Sequence, residues 1–313
     1  MKKYLIYLIL FLLPGSVTGQ DVPQLSQYMF NLPFINPGAS GSKDEICLSA
    51  VSRQSWVNFE GAPQTTVFNG NAPFSLFGIS SGGGLTIYND NYGFTTQYAI
   101  SGSYAYRMNI GNGKLGIGVG AGVFNYNLDA DWFIPTSDFH TQPGSDPAIP
   151  EGDGGFAFDL NFGLFYRAEN VYMGISGMHL TQPEFKRFDK GLPYKARHFN
   201  LTAGYNIRLS NPLFEVRPSF LIQSDTKISQ VTLTTLLVYN KRFFGGVSYR
   251  ASNDAIALAG LELKNGLRIS YSYDYSFSNI RKYNDGSHEL SLGYCFTIVK
   301  DKAPQKYKSI RFL

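Results

Sequence analysis

The sequence is poor in the features that mark most soluble and membrane classes. After residue 19 no apolar run approaches the roughly 20 residues that a membrane helix needs, so helical membrane spans are excluded. Charged residues make up only 16% of the chain, and Leu-rich helical stretches are scarce beside 25 Phe, 21 Tyr and 33 Gly. A soluble helical bundle would lack its usual residues, and the composition favours β-structure. Metal-ligand spacing and phosphate-cradling loops are both absent, which predicts no cofactor. The formal charge of +4 includes two lysines of the N-terminal leader and implies no nucleic-acid partner.

That leader has a basic start at Lys2 and Lys3, an apolar stretch from Tyr4 to Leu13, and a Pro14-Gly15 break. Small residues then run to Val17-Thr18-Gly19, as before a signal-peptidase site. Residues 1–19 are expected to be a cleaved signal peptide, with Gln20 as the mature N-terminus. The alternative, a retained anchor helix, has too few apolar residues to cross a hydrocarbon core of roughly 30 Å.

What the chain has in quantity is alternation. In residues 155–167, Phe156, Phe158, Leu160, Phe162, Leu164 and Tyr166 fall on one face and Asp159, Asn161, Gly163 and Arg167 on the other. Residues 198–208 and 266–277 repeat the pattern. Sandwich strands usually run about five or six residues, whereas membrane strands need roughly 9 to 11. The segments here are of the longer kind.

The expected fold is all-β, a transmembrane antiparallel outer-membrane β-barrel of about 14 strands over residues 45–299. The strands are placed at 45–54, 63–72, 81–89, 94–107, 114–127, 155–167, 170–179, 198–208, 213–223, 229–239, 242–251, 255–263, 266–277 and 287–298. Tight turns at Gly111-Asn112-Gly113, Glu169-Asn170, Asn211-Pro212, Asn240-Lys241 and Asn265-Gly266 mark the periplasmic end. The longer segments 128–154 and 180–197 go outside, and residues 73–80 are expected to form a longer inner connection.

With lipid outside, the polar face lines the lumen. Asp159, Arg167, Arg208, Glu215, Arg217, Arg250, Glu262, Arg268 and Asp274 are then lumenal, either as a solute-selective lining or as a charge network stiffening a narrow barrel. Gly116, Gly118, Gly120 and Gly122 share that inner face and leave room for another segment inside. In the last strand Ser291, Gly293, Phe296 and Ile298 follow a loose closing-strand pattern of outer-membrane barrels. Cys47 and Cys295 both point inward near the periplasmic rim, as a staple across the seam or as two free buried thiols.

The stretch before the first strand, "QDVPQLSQYMFNLPFINPGASGS", lies at the periplasmic mouth or folds up into the barrel. Through Gln20-Asp21, Pro23-Gln24, Ser26-Gln27-Tyr28, Asn31, Asn36-Pro37 and Gly41-Ser42 it resembles the "QDPxFSQY...NPLxxNPAYAGS" start of the PorP/SprF family of the type IX secretion system. Arg53, Gln54, Trp56, Gly61, Pro63 and Thr65 are similar to that family's first hairpin. Leu25, Leu32-Pro33 and Gly38-Ala39 depart from the pattern. The resemblance implies a non-enzymatic barrel that serves export or surface anchoring of adhesins by binding their C-terminal domain, with periplasmic ring components of the secretion machine as further partners. The alternative is a passive porin or small-molecule channel.

Partner-binding candidates lie in the long loops. Trp132, Phe133 and Phe139 stand among acidic residues in 128–154, as a protein-binding loop or as a lid over the barrel. Phe185, Lys186, Arg187 and Tyr194 lie in the basic loop 180–197, which could meet an acidic partner or lipopolysaccharide phosphates. The basic tail 300–313 is either solvated or docked on a ring component. His140, His179, His198 and His288 offer no local triad, since Ser287, His288 and Glu289 alternate between faces.

Overall fold

The computed structural model describes residues 23–128, 154–184 and 195–297. The strands are β1 (Ile46–Gln54), β2 (Gln64–Leu76), β3 (Ile79–Tyr92), β4 (Thr95–Ile110), β5 (Gly113–Leu128), β6 (Gly154–Ala168), β7 (Val171–Met178) and β8 (His198–Tyr205). The remainder are β9 (Ile207–Arg208), β10 (Phe214–Ser224), β11 (Ser229–Tyr239), β12 (Phe243–Arg250), β13 (Asp254–Glu262), β14 (Leu267–Ser276) and β15 (Ser287–Phe296). Each pairs antiparallel with its chain neighbour, apart from the collinear β8 and β9. β8 and β9 both pair with β10 in one continuous register and are two halves of a single membrane strand. Pairing with β10 lapses at Tyr205 and Asn206, which lie opposite Pro218 and Arg217, and Pro218 has no N–H to donate to the ladder. β15 closes on β1 from Ile46↔Phe296 to Gln54↔His288, which makes a closed barrel of fourteen strands. No helix among the described residues is long and apolar enough to cross a membrane; the strands do so instead.

Alternation sets the two faces. In β6 Phe156, Phe158, Leu160 and Phe162 are exposed on the outside, while Ala157, Asp159 and Asn161 are buried. Tyr106, Tyr205, Tyr239 and Tyr294 stand outward near the short-turn end, as in an aromatic girdle. Residues 73–80 correct the expected longer inner connection. β2 and β3 pair up to Leu76↔Ile79 and turn through Phe77 and Gly78 alone, with φ of 51° and 82°. Pro73 and the missing Asn-Gly signal hid this hairpin, whose positive φ at Phe77 is unusual for a bulky side chain.

The inner face also differs from a uniformly polar lining. Val51, Val67, Tyr88, Phe124, Phe165, Leu221, Leu236, Ile256 and Leu258 are buried within the lumen. Arg208 and Glu262, expected as lumenal, are exposed; Arg208 instead meets Glu169 at 2.7 Å by the short turns. These two stand at strand ends, where the face distinction gives way to water at the rim.

Candidate functional site

What covers the inner apolar residues is the chain's own start. Residues 23–44 enter the lumen and run its length, from Gln24 beside Gln230 at the loop end to Asp44 at the short-turn end. Three short helical turns, Tyr28–Phe30, Leu32–Ile35 and Pro37–Ala39, fold this stretch, helped by prolines in the first turns of the second and third. Leu25 and Phe34 meet Val51, Val67, Tyr88 and Phe124. Tyr28, Leu32 and Ile35 meet Phe165 and Leu221, and Met29 and Phe30 lie on Leu236, Ile256 and Leu258. The segment is thus a plug with its own core, and it takes the interior position of the two that its sequence left open.

Its upper anchor is ionic. Arg53 and Arg250 face Asp274 at 2.8 and 3.1 Å, and Arg53 also reaches Glu289 at 3.3 Å, all four side chains being buried. Ser26 sits at the centre. Its hydroxyl donates toward the Asp274 carboxylate at 2.6 Å and accepts from Arg53 at 2.7 Å and Arg250 at 3.1 Å. Its backbone N–H and that of Gln27 donate to the two Glu289 oxygens at 2.8 and 2.9 Å. Two guanidinium groups thus balance two carboxylates, and the plug backbone takes up the remaining acceptor capacity.

The lower anchor is steric. Asn36 donates its amide to the Leu164 and Ile175 carbonyls at 3.0 and 3.2 Å, while its side-chain oxygen accepts from Gly38 N–H at 2.9 Å. The turn after it lies so close to the wall that a Cβ on Gly118 would stand 2.2 Å from Gly38 N, and one on Gly163 2.1 Å from Asn36 Oδ1. Only glycine permits this approach. Gly116 and Gly118 therefore supply the room expected of the glycine face, whereas a Cβ on Gly120 or Gly122 would first meet Asn161 or Ser101 of the barrel wall.

At the short-turn rim Asp44 accepts from Arg107 at 2.7 Å and from Lys114 at 2.9 Å. Partial burial opposes its ionisation, but the hydrogen bonds and charges of Lys114 and Arg107 outweigh it and hold the carboxyl below its usual range. Nearby, Cys47 and Cys295 are direct cross-strand partners and form a disulfide. Of the two alternatives read from the sequence, the structure has the staple. Glu45 stands beside them, but bonded sulfurs are not thiolates and offer no metal ligand.

The family-motif residues Gln27, Tyr28, Asn31, Asn36 and Pro37 are all buried in the plug. Tyr28 bonds Ser219 at 3.0 Å, and Asn31 accepts from Ser49 at 3.2 Å. Arg53 and Glu289 escaped sequence reasoning as a site, although one stood in the quoted hairpin motif and the other in the Ser-His-Glu run. The partner-binding candidates Trp132, Phe133, Phe139, Phe185, Lys186, Arg187 and Tyr194 lie outside the described residues, as do the leader and the tail after residue 297. His179 bonds Asp159 at 2.9 Å, with Phe124 and His198 as its ring neighbours. His179 and His198 line a cavity of about 70 Å³ between plug and barrel, together with Pro23, Phe34 and Met178. His288 faces outward against Tyr271, away from the buried Ser287 and Glu289.

A closed, fourteen-stranded barrel with an apolar outer belt and a self-filled lumen is an integral outer-membrane protein. Solved structures of that class have the same fold. The CymD monoaromatic hydrocarbon channel is 13% identical over 90% of this chain and 95% of its own, with a TM-score of 0.52. The Ralstonia pickettii toluene transporter TbuX is 11% identical over 91% and 96%, with a TM-score of 0.50. No curated protein matches the chain in sequence. The family described as type IX secretion system membrane protein PorP/SprF matches residues 17–294, and the chain belongs to that family.

Proposed function

We propose that this barrel is a non-enzymatic component of type IX secretion that supports export and surface anchoring of a secreted adhesin by binding the adhesin's C-terminal domain. The observation that carries this reading is the plug. In a chain of a secretion-system family, a lumen occupied from Gln24 to Asp44 by its own start favours an anchoring surface over a solute path. The partner surface is then the loop end, where Trp132, Phe133, Phe139, Phe185, Lys186, Arg187 and Tyr194 supply aromatic and basic contacts. The basic tail 300–313 is suited to ring components on the periplasmic side, and the basic loop also suits lipopolysaccharide phosphates.

The test is co-purification of the tagged barrel from its native outer membrane, with mass spectrometry of what stays bound. A large secreted protein held through its C-terminal domain supports the proposal; its loss on replacing Trp132 and Phe133 by Ala locates the contact. The second reading, a channel for small solutes, is favoured by the folds of CymD and TbuX. It requires steady conductance or solute uptake by the purified barrel with the plug in place, and no retained cargo.

A further inference from the structure

Beside the plug, the loop end carries a second constructed feature, outside the lumen. The connection between β1 and β2 borders an open groove of about 330 Å³ whose far wall is the end of β3 and the turn to β4. Four amide side chains line it, Gln54, Asn58, Gln64 and Asn91, together with Trp56 and Phe59, whose rings meet edge to face at 6.5 Å. Among the described residues, none that lines it is charged.

The groove is held in shape before any ligand arrives. Val57 exchanges backbone hydrogen bonds with Gly286 and Asp285 at 2.8 and 2.9 Å, and Asn58 donates to Asp285 at 2.5 Å. On the other side Gly93 N–H donates to Gly61 O at 2.8 Å. Trp56 and Asn58 take φ of 46° and 68°, a conformation that costs free energy and persists because both flanks hold it. Asn91 stands in the groove wall, and its side-chain oxygen is buried and has no hydrogen-bond partner.

Amides without charge, next to aromatic faces, select a neutral ligand rich in hydroxyls. Vicinal hydroxyls match the paired donors and acceptors of Gln and Asn, and the C–H faces of a pyranose lie against Trp and Phe. An anion would call for Arg or Lys, and neither is among the described residues of the lining. The position names the source. Arg53, Thr65 and Asp90 are buried inward, so by parity their neighbours Gln54, Gln64 and Asn91 lie on the outward face. On that same face, further down β2 and β3, come the exposed Phe68 and Ile87 of the apolar belt. The groove therefore opens at the level of the outer-leaflet headgroups. We infer that it binds a neutral sugar of an outer-leaflet glycolipid.

The chain has two tryptophans, so a Trp132→Phe background leaves Trp56 as the sole indole reporter. The full-length barrel is titrated with core oligosaccharide released from lipopolysaccharide, with lipopolysaccharide-containing nanodiscs, and with phosphatidylethanolamine nanodiscs as control. The expected result is a saturable change in Trp56 emission with both sugar-bearing probes and none with phospholipid alone. The double variant Gln54→Ala, Gln64→Ala should weaken binding about tenfold, in keeping with the loss of two neutral hydrogen bonds. Both side chains are exposed, and heat-modified gel mobility shows separately that the variant barrel is folded. No saturable change, an equal response to phospholipid, or unweakened binding by the folded variant would overturn the inference. A response to free oligosaccharide without one to the nanodiscs would overturn its membrane source.

Discussion

Ser26 and Asp274, 248 positions apart in the chain, are joined by a hydroxyl–carboxylate hydrogen bond of 2.6 Å in the buried upper part of the barrel. The contact ties the plug to an ion cluster formed by β1, β12, β14 and β15. Replacing Ser26 by Ala leaves Asp274 and both arginines one partner short, at a cost of about 1–3 kcal/mol. The expected outcome is a barrel that folds but whose N-terminal segment is cleaved faster by added protease. Equal cleavage rates in Ser26→Ala and the parent would show that the cluster does not hold the plug.

The lower anchor predicts a different failure. Gly118→Leu places atoms where Gly38 now stands, and a Cβ alone would already come within 2.2 Å of Gly38 N. Overpacking against a backbone cannot be relieved by a rotamer change, so the plug must move. Single-barrel conductance should rise in Gly118→Leu and stay at the parent level in Gly120→Ala, whose new Cβ would meet its nearest neighbour, Asn161 Cβ, at 3.3 Å. Identical conductance in both variants would sink the steric account.

How far the sequence reached can be seen at these residues. Alternation exposes both faces of a strand, so β6 was legible to within a residue at each end. It fails where a lumen is lined for a plug instead of water: Phe165 and Leu221 sit on inward positions that a polar-lumen rule assigns to hydrophilic side chains. Arg53 and Glu289 could not be paired from the sequence because their meeting depends on the register with which β1 closes against β15, Arg53 opposite Glu289. The glycines of β5 signalled a close approach, but not that Asn36 and Gly38 would make it.

The disulfide joins the two strands that close the barrel, with Cys47 directly opposite Cys295. Its removal in a Cys47→Ser, Cys295→Ser variant should leave the strand register intact, since the pairs from Leu48↔Tyr294 to Gln54↔His288 remain. A stability loss of about 2–4 kcal/mol is expected, read as a lower temperature of the heat-modified gel shift. Thiol alkylation without reductant followed by mass spectrometry checks the bond itself; two alkylated cysteines in the parent protein would exclude it.

Asp44 gives the short-turn end a pH dependence. Its folded carboxyl is held below the unfolded value, so its contribution is fully present above the unfolded pKa of about 4 and is lost as pH falls through the folded one. Between pH 6 and pH 3 the parent should lose more thermal stability than Asp44→Asn, which has no carboxylate to protonate. Parallel stability curves for the two proteins would show that the contacts with Arg107 and Lys114 contribute nothing.

Phe77 occupies the first turn position of the β2–β3 hairpin with φ of 51° and is almost wholly exposed. The hairpin tip stands clear of its neighbours: pairing with β1 ends at Asn71 and pairing with β4 at Ser81. A phenylalanine there therefore bears the left-handed backbone cost without gaining burial, whereas Asn adopts the same conformation readily. Phe77→Asn is expected to stabilise the hairpin by about 0.5 kcal/mol or more, seen as a higher urea midpoint for the barrel in lipid bilayers. A lower midpoint would mean that the ring gains more from the membrane edge than its backbone loses.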